Sequence, residues 1–187
     1  IDSKIRVLLV EQSPRWDFRY LQAMFMRDRR VELKCVLFEG APSISRDANS
    51  PYLERFPVNK EELFNYDLVV FGDVDPHQLN AEQQRNLGEF VSRFGGSFLM
   101  VAGKRFSPNA WRNTPVEQIL PVEFDAQNTA AAAGEGTADK PVKLTLTAQG
   151  RNSTMLRFGD KDEESVALWK LLPPVYWVAK EIGRAHV

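Results

Sequence analysis

Between Lys4 and Gly103, four short apolar segments alternate with segments of helical periodicity. Near-continuous apolar runs of this length are typical of strands buried on both faces of a parallel sheet. When such strands alternate with helices, each helix crosses over the sheet between parallel neighbours. We therefore predict an α/β fold with helices on both faces of the sheet. The predicted strands are Lys4–Glu11, Val31–Phe38, Asp67–Gly72 and Ser97–Gly103.

Local signals predict where two of the intervening helices begin. Ser13 is a favoured N-cap residue, and Pro14 after it is favoured at the first helical position. Asn80 followed three residues later by Gln83 has the spacing of a capping box. We therefore expect the first helix to begin at Ser13 and a later one at Asn80.

Charge and cysteine content exclude several classes of function. The net charge is −1 over 187 residues, which provides no global field for a polyanion, so we expect no nucleic-acid partner. Cys35 is the single cysteine, which excludes an internal disulfide and a cysteine-based zinc site. Its place within an apolar strand indicates a small core residue rather than a reactive thiol. We expect no cofactor and no bound metal.

The second half of the chain carries weaker signals. Ala126–Lys140 is rich in small and polar residues and predicts a mobile insertion. Val142–Thr147 alternates between apolar and polar residues and predicts an edge strand. We expect one domain over residues 1–180. Glu181–Val187 is expected to be a non-native tail, because Ile182–Val187 is what ATC GGA AGA GCA CAC GTC would encode, and that string resembles a sequencing adapter.

Ligands of open parallel sheets bind beyond the carboxyl ends of the strands, so candidate site residues are sought there. After the first strand, Arg15 and Arg19 lie one turn apart at a helix N-terminus, with Trp16 as a flat face between them. This group could bind a carboxylate or phosphate. The alternative, which we favour, is that Trp16 packs on the sheet edge while the arginines pair with nearby acids.

Two carboxylates follow the third strand. Asp73 and Asp75 could ligate Mg²⁺ or act as a catalytic base. We favour the alternative that they form turns by local hydrogen bonds, and we expect His77 to face solvent.

The fourth strand runs into Gly103-Lys104-Arg105, a sharp turn with no Ser, Cys or Asp at its apex. Lys104 and Arg105 are therefore candidate anion ligands rather than nucleophiles.

Several blocks together resemble a glutamine amidotransferase-like domain of large bacterial membrane proteins, often planctomycete proteins with von Willebrand factor A-type modules. The blocks are "RVLLVEQSPRWDFRYL", "VELKCVLFEG", "YDLVVFGDVDP", "FVSRFGGSFLMVAGKRFSPNAWRNTP", "ILPVEF" and "LWKLLPPVYW". The resemblance implies a flavodoxin-like three-layer α/β/α sandwich with strand order 2-1-3-4-5. It also implies transmembrane helices outside this segment.

The chain departs from the catalytic pattern of class I glutamine amidotransferases. That family places a nucleophilic cysteine at the centre of a G-x-C-x-G elbow and uses a downstream His-x-Glu. Here the matching turn, Gly103–Ser107, has Arg105 at the position of the nucleophile. No histidine follows His77 before the expected tail. Glutaminase chemistry by the family's mechanism is therefore not expected.

Three hypotheses for function follow. The first is a non-catalytic binding or scaffolding domain of a membrane-anchored protein, whose ligand is a small anion or a protein partner. The second is a hydrolase or sugar-modifying enzyme like the ThuA-like relatives of this fold, using Asp73 or Asp75 with Arg15 and Arg105 as electrostatic stabilisers. The third is a receiver-like signalling domain with Asp73 as phosphate acceptor and Lys104 as its lysine.

Overall fold

The structure is a computed structural model, and it describes residues 4–40, 50–124, 134–135, 140–179 and 182–183. The chain divides into two compact units, Ile1–Ala133 with Glu181–Val187, and Gly134–Lys180. The single domain over residues 1–180 stays a prediction.

Helices and strands alternate along most of the first unit. The helices are α1 (Trp16–Arg27), α2 (Lys60–Leu63), α3 (Ala81–Ser92), α4 (Ala148–Asn152) and α5 (Asp162–Leu171). The strands are β1 (Ile5–Glu11), β2 (Val31–Leu37), β3 (Leu68–Phe71), β4 (Ser97–Met100), β5 (Val122–Glu123), β6 (Gly134–Glu135), β7 (Val178–Ala179) and β8 (Ile182–Gly183). Single 3-10 turns occupy Pro76–Gln78, Asn109–Trp111, Pro115–Ile119 and Thr154–Leu156.

A four-stranded parallel sheet organises the first unit. Its order is β2-β1-β3-β4, and every neighbouring pair is parallel. The prediction of an α/β fold with a parallel sheet is confirmed, and the four strands lie within the predicted segments. Within the described residues four strands pair in this sheet, so the five-stranded flavodoxin-like order stays a prediction.

Both faces of the sheet are covered by helices. Successive side chains of a strand point to opposite faces, so β1 contributes to two separate cores. On one face, Val7 and Leu9 lie in a buried cluster with Phe18 of α1. On the other face, residues of β1 pack in a larger cluster with side chains from α2 and α3: Leu8, Val10, Leu63, Leu87 and Phe90.

The two predicted helix starts have different outcomes. Asn80 caps α3 with a full capping box, in which its side chain accepts from the Gln83 N–H and its own N–H donates to the Gln83 side chain, both at 2.9 Å. The expected start at Ser13 is wrong. The Ser13 carbonyl accepts from the Arg15 N–H at 2.7 Å, and this turn delays the helix so that Arg15 is its N-cap.

Cys35 lies in the core, as predicted. It is buried in β2, and burial raises the pKa of its thiol to about 12. Its backbone binds the outer segment Pro51–Leu53: the Cys35 N–H donates to the Pro51 carbonyl at 2.7 Å, and the Leu53 N–H donates to the Cys35 carbonyl at 2.8 Å. A neutral, inaccessible thiol of this kind is a packing residue.

The predicted edge strand Val142–Thr147 in the second unit is wrong. Only Val142 pairs, through two hydrogen bonds with Val175 of 2.7 and 2.8 Å. Residues 143–146 make no strand pairing, and the segment ends at Thr147, whose hydroxyl caps α4 by accepting from the Gly150 N–H at 3.0 Å.

Two other predictions fall largely outside the described residues. Within the predicted mobile insertion 126–140, the structure describes β6, which pairs antiparallel with β7, and Lys140. Within the tail 181–187 it describes β8, which pairs antiparallel with β5. The mobility of the insertion and the foreign origin of the tail stay predictions. In the part of the chain that the structure describes, no helix is long and apolar enough to cross a membrane.

Candidate functional site

The carboxylate of Asp73 lies beneath the turn that follows β4. Asp73 is 2% exposed. Its Oδ1 accepts from the backbone N–H groups of Phe106 at 2.7 Å and Ser107 at 2.8 Å, and its Oδ2 accepts from the Arg105 N–H at 2.9 Å. A carboxylate that accepts three backbone hydrogen bonds holds those donors in place. Asp73 therefore anchors a turn more than thirty residues away in the chain, rather than forming a turn of its own.

Two further contacts join this turn to the end of β3. The Ser107 hydroxyl is buried and donates to the Gly72 carbonyl at 2.8 Å. The Gly103 N–H donates to the Ser107 carbonyl at 2.9 Å. A Cβ on Gly103 would overlap the Asp73 carboxylate, so the glycine is required by the close approach of the two chain segments. The Ser107–Pro108 peptide is cis.

Glu11, at the end of β1, holds the first strand to the same edge. It is 2% exposed. Its Oε1 accepts from the Asp73 N–H at 2.7 Å, and its Oε2 accepts from Arg15 Nε at 3.1 Å and Nη2 at 2.9 Å. Burial raises the pKa of Glu11, and the hydrogen bonds and charge of Arg15 oppose that rise. A Cβ on Gly72 would overlap this carboxylate.

The guanidinium of Arg15 bridges three parts of the first unit. Besides Glu11, its Nη1 donates to the Ala102 carbonyl at 3.3 Å and lies 3.6 Å from Asp17 Oδ2. The Arg15 side chain is 22% exposed. Arg15 is therefore committed to internal contacts, which is the alternative that the sequence favoured for it.

A second, more exposed ion pair joins β2 to the turn after β4. Arg105 Nη1 and Nη2 donate to the two carboxylate oxygens of Glu39 at 3.0 and 3.1 Å. Gln12, which follows β1, links the segments after β2 and β3. Its Nε2 donates to Glu39 at 3.0 Å, and its Oε1 accepts from the Asp75 N–H at 3.1 Å. The hydrogen bonds from Arg105 lower the pKa of Glu39. We call Glu11, Gln12, Arg15, Glu39, Asp73 and Arg105 the carboxyl-edge network.

We expect Arg105→Ala to change the free energy of unfolding by less than about 1 kcal/mol. The side chain of Arg105 forms a surface pair that is 51% and 45% exposed, whereas its backbone N–H, which the substitution keeps, binds Asp73. Urea denaturation monitored by circular dichroism measures the change. A loss of several kcal/mol would contradict the claim that Arg105 stabilises the turn through its backbone N–H and not through its side chain.

Asp75 and His77 act locally. Asp75 Oδ1 accepts from the His77 N–H at 3.0 Å and lies 2.8 Å from His77 Nδ1, so Asp75 caps the 3-10 turn Pro76–Gln78. The His77 side chain is 94% exposed, which confirms the expectation that it faces solvent. The two aspartates therefore serve separate turns.

Trp16, Arg19 and Lys104 remain at the surface. The prediction that Trp16 packs on the sheet edge is wrong: it is 70% exposed, because α1 buries the opposite face through Phe18. The Arg19 guanidinium lies 5.5 Å from the centre of the Trp16 ring, within cation–π range. Lys104 is exposed at the turn after β4. The guanidinium groups of Arg15 and Arg105, by contrast, each donate hydrogen bonds to a carboxylate, Glu11 and Glu39 respectively.

From the sequence, Gln12 and Glu39 lie in the segments beyond the strand ends where site residues were sought, but no role was predicted for them, and Glu11 was not predicted at all. Their signal was present, because each stands where an apolar strand ends and lies at the carboxyl edge of the sheet. A buried carboxylate at the end of such a strand needs a cation or several N–H donors. Arg15, four residues after Glu11, was the nearest candidate.

The first unit is an α/β domain in which the carboxyl edge of the parallel sheet, where open sheets generally bind ligands, carries polar groups bonded to one another. Among the described residues, no group of three or more His, Cys, Asp or Glu side chains could hold a metal ion. No family model matches the chain, and it has no significant match among curated proteins or solved structures.

Proposed function

We propose that this chain is a non-catalytic binding or scaffolding domain. The observation that carries the proposal is the engagement of the carboxyl-edge network by its own members and by backbone N–H groups. A general base or a metal ligand needs a lone pair directed at the substrate or ion. Both oxygens of Asp73 are bonded within the protein, as are both oxygens of Glu11.

The turn after β4 offers no activated nucleophile. Arg105 is permanently protonated and cannot attack a carbonyl. Ser107 carries the nearest hydroxyl, but it is buried and donates its proton to a backbone carbonyl instead of to a histidine or carboxylate. A serine nucleophile requires an adjacent base. This arrangement supports binding rather than acyl transfer.

The outer face of α1 supplies a surface for a partner. Trp16, Tyr20 and Met24 follow one another at intervals of four residues and are 70%, 70% and 54% exposed. Residues four apart lie on the same face of a helix, and aromatic residues and methionine are enriched where proteins bind each other. We assign this face to recognition of a protein partner.

The resemblance to amidotransferase-like domains supplies the proposed setting. In this proposed setting, the chain is one module of a multidomain bacterial protein that is anchored in the inner membrane. The membrane contact belongs to segments of that protein outside this chain.

The purified chain is expected to release no ammonia from glutamine above the rate of a buffer control, because nucleophile and base are both missing. The same result is expected for hydrolysis of chromogenic ester and glycoside substrates. Asp75→Asn serves as the matched variant, since Asp75 is partly exposed and its loss disturbs only a local cap. Steady turnover by the wild-type chain would contradict the proposal, and its loss in Asp75→Asn would support the hydrolase hypothesis.

A further inference from the structure

The second unit contains a cleft of about 140 Å³ that was not predicted from the sequence. It lies between the segment 143–146, the short helix α4 and one face of α5. Its apolar lining is formed by Leu144, Leu146, Val166 and Trp169. An engineered apolar cavity of about 150 Å³ accommodates one benzene ring. The cleft therefore suits a single ring or a branched aliphatic group.

The indole of Trp169 is held in place at this cleft. Its Nε1–H donates to the Leu156 carbonyl at 2.8 Å. Its ring centre lies 5.2 Å from that of Phe158, within the range of favourable aromatic pairs. Trp169 is three residues after Val166, so both project from the same face of α5. The cleft thus has one rigid aromatic surface.

The charged lining of the cleft has a single sign. Lys143, Arg151 and Lys170 contribute to it, and no acidic side chain does. Among the described residues, none of the three cations has an ion-pair partner. The nearby acid Asp162 is bound instead to Arg157 at 2.8 Å. Three unpaired cations around one apolar depression attract an anion.

We propose that this cleft binds a small organic anion that combines one carboxylate with one aromatic or branched aliphatic group. The apolar part lies against Leu146, Val166 and Trp169, and the carboxylate is bound by Arg151 or the lysines through charge-assisted hydrogen bonds. This composition matches the general form of small-molecule sites, which are mostly apolar with a few polar groups that fix orientation. The proposal concerns the second unit and is independent of the proposed function.

Isothermal titration of the full chain with three probes tests the ligand class. Phenylacetate carries both the ring and the carboxylate, phenylacetamide lacks the charge, and acetate lacks the ring. We expect saturable binding of phenylacetate and at least about tenfold weaker binding of each of the other two. Phenylacetamide loses charged hydrogen bonds, which are roughly twice as strong as neutral ones, and acetate loses the apolar area that the ring buries. Absence of saturable binding at millimolar phenylacetate would overturn the proposal, as would equal binding of phenylacetamide.

Charge-neutralising variants test the location. Arg151→Gln and Lys170→Gln are expected to weaken phenylacetate binding about five- to tenfold, because each removes a cation from the cleft. Lys161→Gln is the matched control: Lys161 is exposed and in the same unit but outside the cleft lining. It should leave the affinity unchanged. Equal weakening by all three variants would show a non-specific charge effect and overturn the assignment.

Discussion

Asp73→Ala is expected to lower the free energy of unfolding by about 3–5 kcal/mol, which is a large part of the stability of a domain. The carboxylate accepts hydrogen bonds from Arg105, Phe106 and Ser107. Alanine would leave these donors without an acceptor; the bond from Ser107 is buried and the other two are partly buried, and a buried unsatisfied donor costs about 1–3 kcal/mol. Urea denaturation followed by circular dichroism and by tryptophan fluorescence measures the loss.

Asp75→Ala is the control for this prediction. It removes a carboxylate two residues away that caps a single 3-10 turn, so its expected cost is about 1 kcal/mol. Asp73→Asn should fall between the two, because an amide offers one acceptor oxygen where the carboxylate has two. If Asp73→Ala were as stable as Asp75→Ala, the anchoring role of Asp73 would be wrong.

Arg15→Ala is expected to destabilise the protein by about 3 kcal/mol at pH 7, the low end for a broken buried pair because Arg15 is partly exposed. The cause is the buried carboxylate of Glu11, which loses its cation. Burial raises the pKa of Glu11 above its ordinary value of 4.5. Protonation of Glu11 therefore raises the free energy of unfolding. That stabilisation is lost as the pH rises through the pKa of Glu11 in the folded protein.

The penalty of Arg15→Ala is expected to shrink between pH 7 and pH 5. Without Arg15 the folded pKa of Glu11 rises further, since the hydrogen bond and charge of Arg15 are the two largest factors that lower it. The variant then takes up a proton at a higher pH than the wild type does. Urea denaturation at both pH values measures the difference.

Arg30→Ala is the matched control for that pH dependence. Arg30 pairs with Asp28 at the surface, and its hydrogen bonds lower the pKa of Asp28 to about 2. That carboxyl does not titrate between pH 5 and pH 7, so the effect of Arg30→Ala should be small and equal at both. A penalty for Arg15→Ala that did not change with pH would contradict the proposed state of Glu11.

Much of the first unit could be predicted from local sequence. Buried parallel strands need uninterrupted apolar residues over a few positions, and the segments that became β1 to β4 have them. The capping box at Asn80 is equally local. The prediction for Val142–Thr147 failed because alternation alone does not provide a neighbouring strand, and Thr147 had a competing use as a helix cap.

The candidate site was predicted less well than the fold. Position after a strand correctly indicated that Asp73 and Arg105 lie at one edge of the sheet. It did not indicate that the Arg105 backbone binds Asp73 while its side chain binds Glu39. The sequence of the turn also indicated that its glycine allows a sharp bend. In the structure Gly103 is required because a side chain there would overlap the Asp73 carboxylate.

By itself the sequence determined the alternation of strands and helices, the buried cysteine and the Arg at the apex of the turn after β4, because these depend on residue type and short-range spacing. Only the tertiary structure decided which carboxylate holds which donor. Glu39 and Arg105 are 66 residues apart, and Asp73 and Ser107 are 34 apart. Such partners meet only because parallel strands bring their carboxyl ends to one edge of the sheet. Polar groups that are buried there need hydrogen-bond partners, and they find them in one another.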